Sequence, residues 1–150
     1  MRVVIQRVLN AEVTIDGLEK RNINKGLLVF AGFEEEDSVE DIEWICGKIV
    51  RLRIFDDSEG VMNLSVQDIK GQIMAISQFT LHASTKKGNR PSYIRAAKPE
   101  ISVPLYESFL FSLKNELGAS IVCGEFGADM KIQLINDGPV TIMMDSKNKE

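Results

Sequence analysis

Residues 131–145 read KIQLINDGPVTIMMD, and what happens in the middle of them decides the architecture. Strand formers are frequent in both KIQLIN (131–136) and VTIMMD (140–145), so both halves read as strands. Between them Asn136-Asp137-Gly138 is a strong hairpin-turn signal. Pro139 cannot donate to a strand ladder, which also argues for a turn. A second reading stays open, in which this is rigid backbone placed to touch a ligand. Gly138 would give close approach, and Pro139 fixes its own φ and is the one residue type at which a cis bond costs little.

Working outward, ASIVCGEF (119–126) reads as the first of three closing strands. A helix is predicted before it, from about Ser102–Pro104 to Leu117, with Tyr106, Phe109, Leu110, Leu113 and Leu117 on one face and Gly118 as its stop. At the other end VVIQRV (3–8) and AEVTID (11–16) alternate, with Val13 and Ile15 opposite Glu12, Thr14 and Asp16. Gly17 ends that strand, a short one follows, and GLLVFAGF (26–33) reads as a buried strand. Ser38 with Asp41 makes a capping box for a helix over 38–52, whose stripe is Ile42, Ile45, Cys46, Ile49 and Val50. DDSEG (56–60) is a turn, and GQIMAISQFTL (71–81) is the longest apolar strand candidate. The expectation is one α+β domain spanning 1–150, a mainly antiparallel barrel-like sheet covered by two helices.

At 150 residues the chain has the size of one ordinary domain. No stretch approaches the ~20 apolar residues needed to cross a bilayer. The start, MRVVIQRVLNAEV, is charged at Arg2 and Arg7 and lacks the apolar region of a signal peptide. Cys46 and Cys123 form no ligand spacing, and with one histidine in the chain a zinc site is not expected. Two reduced thiols suit a cytoplasmic protein.

The net charge of −4 conceals two opposed segments. Residues 34–43 carry seven acids and no base, explained by the positive end of the helix that follows. Residues 84–99 carry Lys86, Lys87, Arg90, Arg95 and Lys98 and no acid, a strip that suits a polyanion if it is not simply solvated loop.

Candidate chemistry is sparse. Ser77 and Thr80 end the long strand, and His82 lies five residues past Ser77. Along a continuing strand five residues span roughly 16 Å and leave the two side chains on opposite faces, so a Ser–His pair is disfavoured and His82 reads as a loop-edge residue. No paired carboxylates and no glycine-rich phosphate loop occur. An enzyme built on this sequence must lean on backbone donors, positioning and groups of the substrate itself.

SQFTL (77–81), KKGNRPSY (86–93) and NDGPVT (136–141) together resemble the D-aminoacyl-tRNA deacylases, a chiral-proofreading family. MRVVIQRV, GADMKI (127–132) and the chain length are similar too, so the likeness spans the chain. The resemblance implies a homodimer, without metal or cofactor, that hydrolyses the ester joining a D-amino acid to the 3′ adenosine of tRNA, and mischarged glycyl-tRNA as well. It implies that Ser77, Gln78, Phe79 and Thr80 line the catalytic pocket, with the Phe79 N–H as the oxyanion or carbonyl contact. It assigns Gly138, Pro139, Val140, Thr141 and Met130 to substrate binding, Gly138–Pro139 being a cis-proline element that reaches into the other subunit's pocket and rejects L side chains. No base adjoins Thr80, so the ribose 2′-OH is expected to assist hydrolysis. Lys86, Lys87, Arg90, Arg95 and Lys98 become a candidate tRNA-docking strip. The chain departs from the family pattern at His82, where tyrosine is common, and at Tyr93, where phenylalanine is common. The competing expectation is a non-catalytic RNA- or DNA-binding module on the same scaffold. A plain ester hydrolase using Ser77 is disfavoured by the histidine geometry.

Overall fold

The computed structural model describes Met1–Glu150 throughout. Its spine is β1 (Arg2–Ile15). On one edge β1 pairs antiparallel first with β3 (Gly26–Gly32), then with β2 (Glu19–Ile23). On the other edge it pairs antiparallel with β8 (Met130–Asp145) over nearly its whole length. β3 continues the sheet in parallel to β6 (Gln72–Ser77), and β6 in parallel to β7 (Val122–Cys123). Arg21 of β2 donates to the Cys123 carbonyl at 2.7 Å, and the Asp16 N–H donates to the Asp129 carbonyl at 2.8 Å. These bonds draw the mixed sheet into a nearly closed barrel. A separate small ribbon, β4 (Phe55–Asp56) and β5 (Met62–Leu64), flanks the DDSEG turn.

Strand alternation sends alternate residues into two cores. Leu27, Val29 and Ala31 of β3, with Val3 and Ile5 of β1, pack against the helices, while Leu28, Val13, Ile15, Met74 and Ile76 fill the barrel. Helix α1 (Val39–Arg51) buries Ile42, Ile45, Cys46, Ile49 and Val50, the expected stripe. The Ser38 N–H donates to the Asp41 carboxylate at 2.9 Å, closing its first turn. Helix α2 (Pro99–Leu117) begins earlier than its sequence suggests, because Pro99 at its first position needs no N–H partner there. Its last turn ends at Gly118, φ +71°, as expected.

Three expectations change. NDGPVT is not a hairpin turn: 131–136 and 140–145 belong to one strand, both halves of which pair with β1. Opposite Arg7 alone, residues 137–140 are looped out as a wide bulge between the Gln6–Thr141 and Val8–Asn136 pairs. The long strand over 71–81 stops at Ser77 and turns into a 3-10 turn, Phe79–His82. Of 119–126, only Val122–Cys123 is strand, since parallel pairing with β6 is confined to Met74 and Ala75.

Candidate active site

The site is set where β3 and β6 end side by side. The last strand pair is Ala31 with Ser77, after which the Gln78 N–H donates to the Ala31 carbonyl at 2.7 Å. The chain then folds down over Gly32, where a Cβ would come within 2.7 Å of the Gln78 carbonyl oxygen and 3.1 Å of the His82 ring. Glycine there lets the 3-10 turn close. Phe79 opens that turn, a position whose N–H has no intrahelical partner.

A cavity of about 310 Å³ lies at this junction. Its walls are Ala31, Gly32 and Phe33 from β3 and its end, Ser77, Gln78 and Phe79 from β6 and the turn, and Phe126, Gly127, Ala128 and Met130 from the approach to β8 and its first residue. Ala97 and Ser102 close it from the start of α2. No lining residue carries a titratable side chain. Ser77, Gln78, Phe79 and Met130 thus come together around one cavity. Thr80 lies outside the lining, its Oγ1 accepting from the Gln78 amide at 2.6 Å.

His82 corrects the loop-edge reading, for its side chain is fully buried beneath the turn. Its Nδ1 is 3.3 Å from Glu34 Oε1, and neither ring nitrogen has a well-aligned hydrogen bond. Burial pushes its pKa below the ordinary value, while the Gly32 backbone and Glu34 pull the other way. The buried thiol of Cys46 is pushed up to about 12 by its burial, which keeps it protonated and inert.

The basic strip borders the cavity. Lys86, Lys87 and Arg90 stand exposed on the loop pinned by the Ser84–Ser92 bridge. Arg95 pairs with Glu34 at 2.6 Å, and Lys98 caps α2 between the lining residues Ala97 and Ser102.

The bulge of 137–140 is a second constructed feature, and it does not line this cavity. Gly138 sits at φ +125°, and the Gly138–Pro139 bond is cis. Asn136 Oδ1 accepts the Val140 N–H at 2.9 Å, and its Nδ2 donates to the Thr141 hydroxyl at 3.0 Å. Arg7 holds the bulge from below. Its Nε donates to the Asp137 carbonyl at 3.0 Å and Nη1 to the Ile54 carbonyl at 2.6 Å. Sequence reasoning did not single out Arg7, although a lone charge at an inward position of VVIQRV was the available signal. Nor did it single out Glu34, whose partners come from distant segments.

A family model for D-Tyr-tRNA(Tyr) deacylase matches residues 4–145. The chain belongs to that family. It is 66% identical over 150 residues to the D-aminoacyl-tRNA deacylase of Bacteroides fragilis and 61% identical to that of Flavobacterium johnsoniae, each match covering 100% of both chains. Membership of the deacylase family makes the chain an enzyme, a hydrolase acting on ester bonds. Among solved structures it resembles a c-Myc DNA unwinding element binding protein, at 39% identity and a TM-score of 0.88, covering 97% of this chain and 98% of that one. A probable eukaryotic D-amino acid tRNA deacylase, at 16% identity and a TM-score of 0.84 over 95% of this chain and 97% of that one, shares the fold.

Proposed function

We propose that the chain hydrolyses the ester of D-aminoacyl-tRNA, and of mischarged glycyl-tRNA, releasing the free amino acid and tRNA in the cytoplasm. The observation that carries the mechanism is the cavity beside Ser77, Gln78 and Phe79, walled without a titratable side chain. Such a site supplies no general acid or base, so the ester must be broken by positioning and by a group of the substrate. The N–H of Phe79, which has no intrahelical partner, is suited to hold the ester carbonyl as charge develops on its oxygen, and the vicinal ribose 2′-OH assists attack by water. Thr80 then acts through Gln78, fixing its amide, rather than as a nucleophile.

We assign chiral selection to the bulge. Gly138, Pro139, Val140 and Thr141 stand outside their own cavity, so in this reading a second copy of the chain supplies them to the pocket, where carbonyls leave room for D and glycyl groups and exclude an L side chain. The basic strip takes the phosphates of the acceptor end, through contacts that are sequence-independent.

The test is release of D-tyrosine from D-Tyr-tRNA in the presence of EDTA. Release no faster than the uncatalysed reaction refutes the proposal. A second reading, a non-catalytic nucleic-acid-binding module, is favoured by the exposed cations at 86–90 and by the likeness to the c-Myc DNA unwinding element binding protein at 39% identity. Salt-dependent binding without ester turnover would establish it. A Ser77→Ala variant that keeps its rate closes the serine-esterase alternative.

A further inference from the structure

Two aromatic rings at the lip of the cavity are not buried. Phe79, which lines the cavity, is 55% exposed and Tyr93 39% exposed. Their centroids are 5.0 Å apart with planes at 75°, an edge-to-face pair. An edge-to-face pair that stays in water leaves ring faces open, where a core pair would have covered them. The placement of Tyr93 is also fixed from both sides. Just before it, Ser84 and Ser92 exchange backbone hydrogen bonds at 2.8 and 2.9 Å. Just after it, the Ala96 N–H returns to the Tyr93 carbonyl at 3.0 Å, and the Ala97 N–H donates to the Phe33 carbonyl of the cavity wall at 2.9 Å. This stretch is thus held against the cavity at both ends.

The charges around the pair are of one kind. Lys86, Lys87 and Arg90 precede Tyr93 and Arg95 and Lys98 follow it, with Ile94 beside it 89% exposed. Of the five cations only Arg95 has a carboxylate partner, Glu34. Open aromatic faces among unpartnered cations are what a single-stranded nucleic acid needs, since bases stack on rings and phosphates meet Lys and Arg. A duplex stem offers its phosphates but no free base face, so the rings point to the unpaired 3′ end.

We propose that Phe79 and Tyr93 form a stacking platform for the unpaired nucleotide preceding the terminal adenosine, so that Tyr93 is a positioning residue that delivers the ester to the cavity. The inference rests on the deacylase reading and deepens it. A platform outside the cavity acts on substrates that carry that nucleotide and is indifferent to those that lack it. Two substrates separate the cases, D-aminoacyl-tRNA and D-aminoacyl-adenosine, the latter ending at the nucleoside. In Tyr93→Ala the loss of kcat/KM on the tRNA should exceed that on the adenosine ester by about tenfold, carried by KM, and Tyr93→Phe should restore it. An abasic site at the penultimate position should cost the wild-type enzyme a similar factor and the Tyr93→Ala enzyme no more. Equal losses on both substrates, or none on the tRNA, overturn the platform while leaving the deacylase reading intact. A wild-type enzyme inactive on both substrates overturns that reading and the platform with it.

Discussion

Arg7 sits where a strand has no room for a charge, 6% exposed, yet it ties the bulge to the segment at Ile54. Its ion pairs are the weaker part of its role, because Asp56 is 51% exposed at 3.4 Å and Asp137 30% exposed at 3.3 Å. The carbonyls of Ile54 and Asp137 are the stronger part, each accepting a charge-assisted bond. Arg7→Met should therefore cost about 2–4 kcal/mol by urea unfolding, and Arg7→Lys should recover little, since one ammonium cannot reproduce the fork. His82 gives a pH signature. Burial depresses its pKa below 6.5, and Arg2 and the N-terminal ammonium oppose its proton in the same direction while the Gly32 backbone and Glu34 favour it. Arg95 shares the Glu34 carboxylate. The folded protein takes up that proton less readily than the unfolded chain, so its share of stability is present above 6.5 and is lost as pH falls from 6.5 towards the depressed value. Asp41 and Asp145, where burial is outweighed by Lys147 and Arg2 respectively, are held below the usual carboxylate range and lose their share only at lower pH. His82→Gln should flatten the decline in urea midpoint between about pH 7 and 5 and leave the more acidic limb in place. The burial of His82 was not legible in the sequence. A histidine five residues past a strand serine reads as a loop residue until the chain is seen to turn back over Gly32.

The bulge at 137–140 is a device of the strand pair rather than of one strand. A shift of one residue in register turns every side chain to the other face. On β1, Val3 and Ile5 face the helices but Val13 and Ile15 face the barrel, and on β8 the same change separates Ile142 and Met144 from Ile132 and Leu134. Both strands change face where residues 137–140 stand against Arg7 and where Val8 and Asn10 break register on the other side. These two neighbouring irregularities let a single long ladder serve two cores, and the first of them lifts Gly138 and Pro139 out of the sheet. A Cβ on Gly138 would lie 2.9 Å from Val140 Cγ2 and 3.0 Å from Arg7 Nη2, at a φ of +125° that L side chains avoid. Gly138→Ala should keep the fold, lose about 1–3 kcal/mol in thermal unfolding, and lose D-aminoacyl ester hydrolysis in the deacylation assay, since the displaced carbonyls no longer seat the substrate. The helices were legible because their stripes repeat at the helical period and their caps are local. The bulge was not, because Asn-Asp-Gly-Pro carries the same chemistry for a tight turn as for a looped-out ladder. Only the partner strand decides between the two.

At the scale of the whole molecule, the long edge of β8 is unfinished. That strand pairs with β1 alone, so one side of sixteen residues has no partner strand. Beside that edge Ile135 is 52% exposed, Met143 73% and Leu9 46%. A long apolar edge is a template for another strand, and proteins that stay monomeric blunt it with charge or cover. Here it stays open next to the bulge, while the cavity lacks any residue of 137–141. Both gaps close together if two copies join through β8 and each offers its bulge to the other's cavity. The arrangement makes a quantitative prediction for mixed chains. Ser77→Trp fills its own cavity, and Gly138→Ala spoils the bulge it lends. In a hybrid dimer, one site combines both defects and the other combines two intact parts. With random exchange half the dimers are hybrids carrying one good site of two, so mixing the inactive variants in equal amounts should restore about a quarter of wild-type deacylase activity. Activity that stays at the level of the separate variants, in a mixture shown by sedimentation to have exchanged, would place the bulge and the cavity in the service of the same chain.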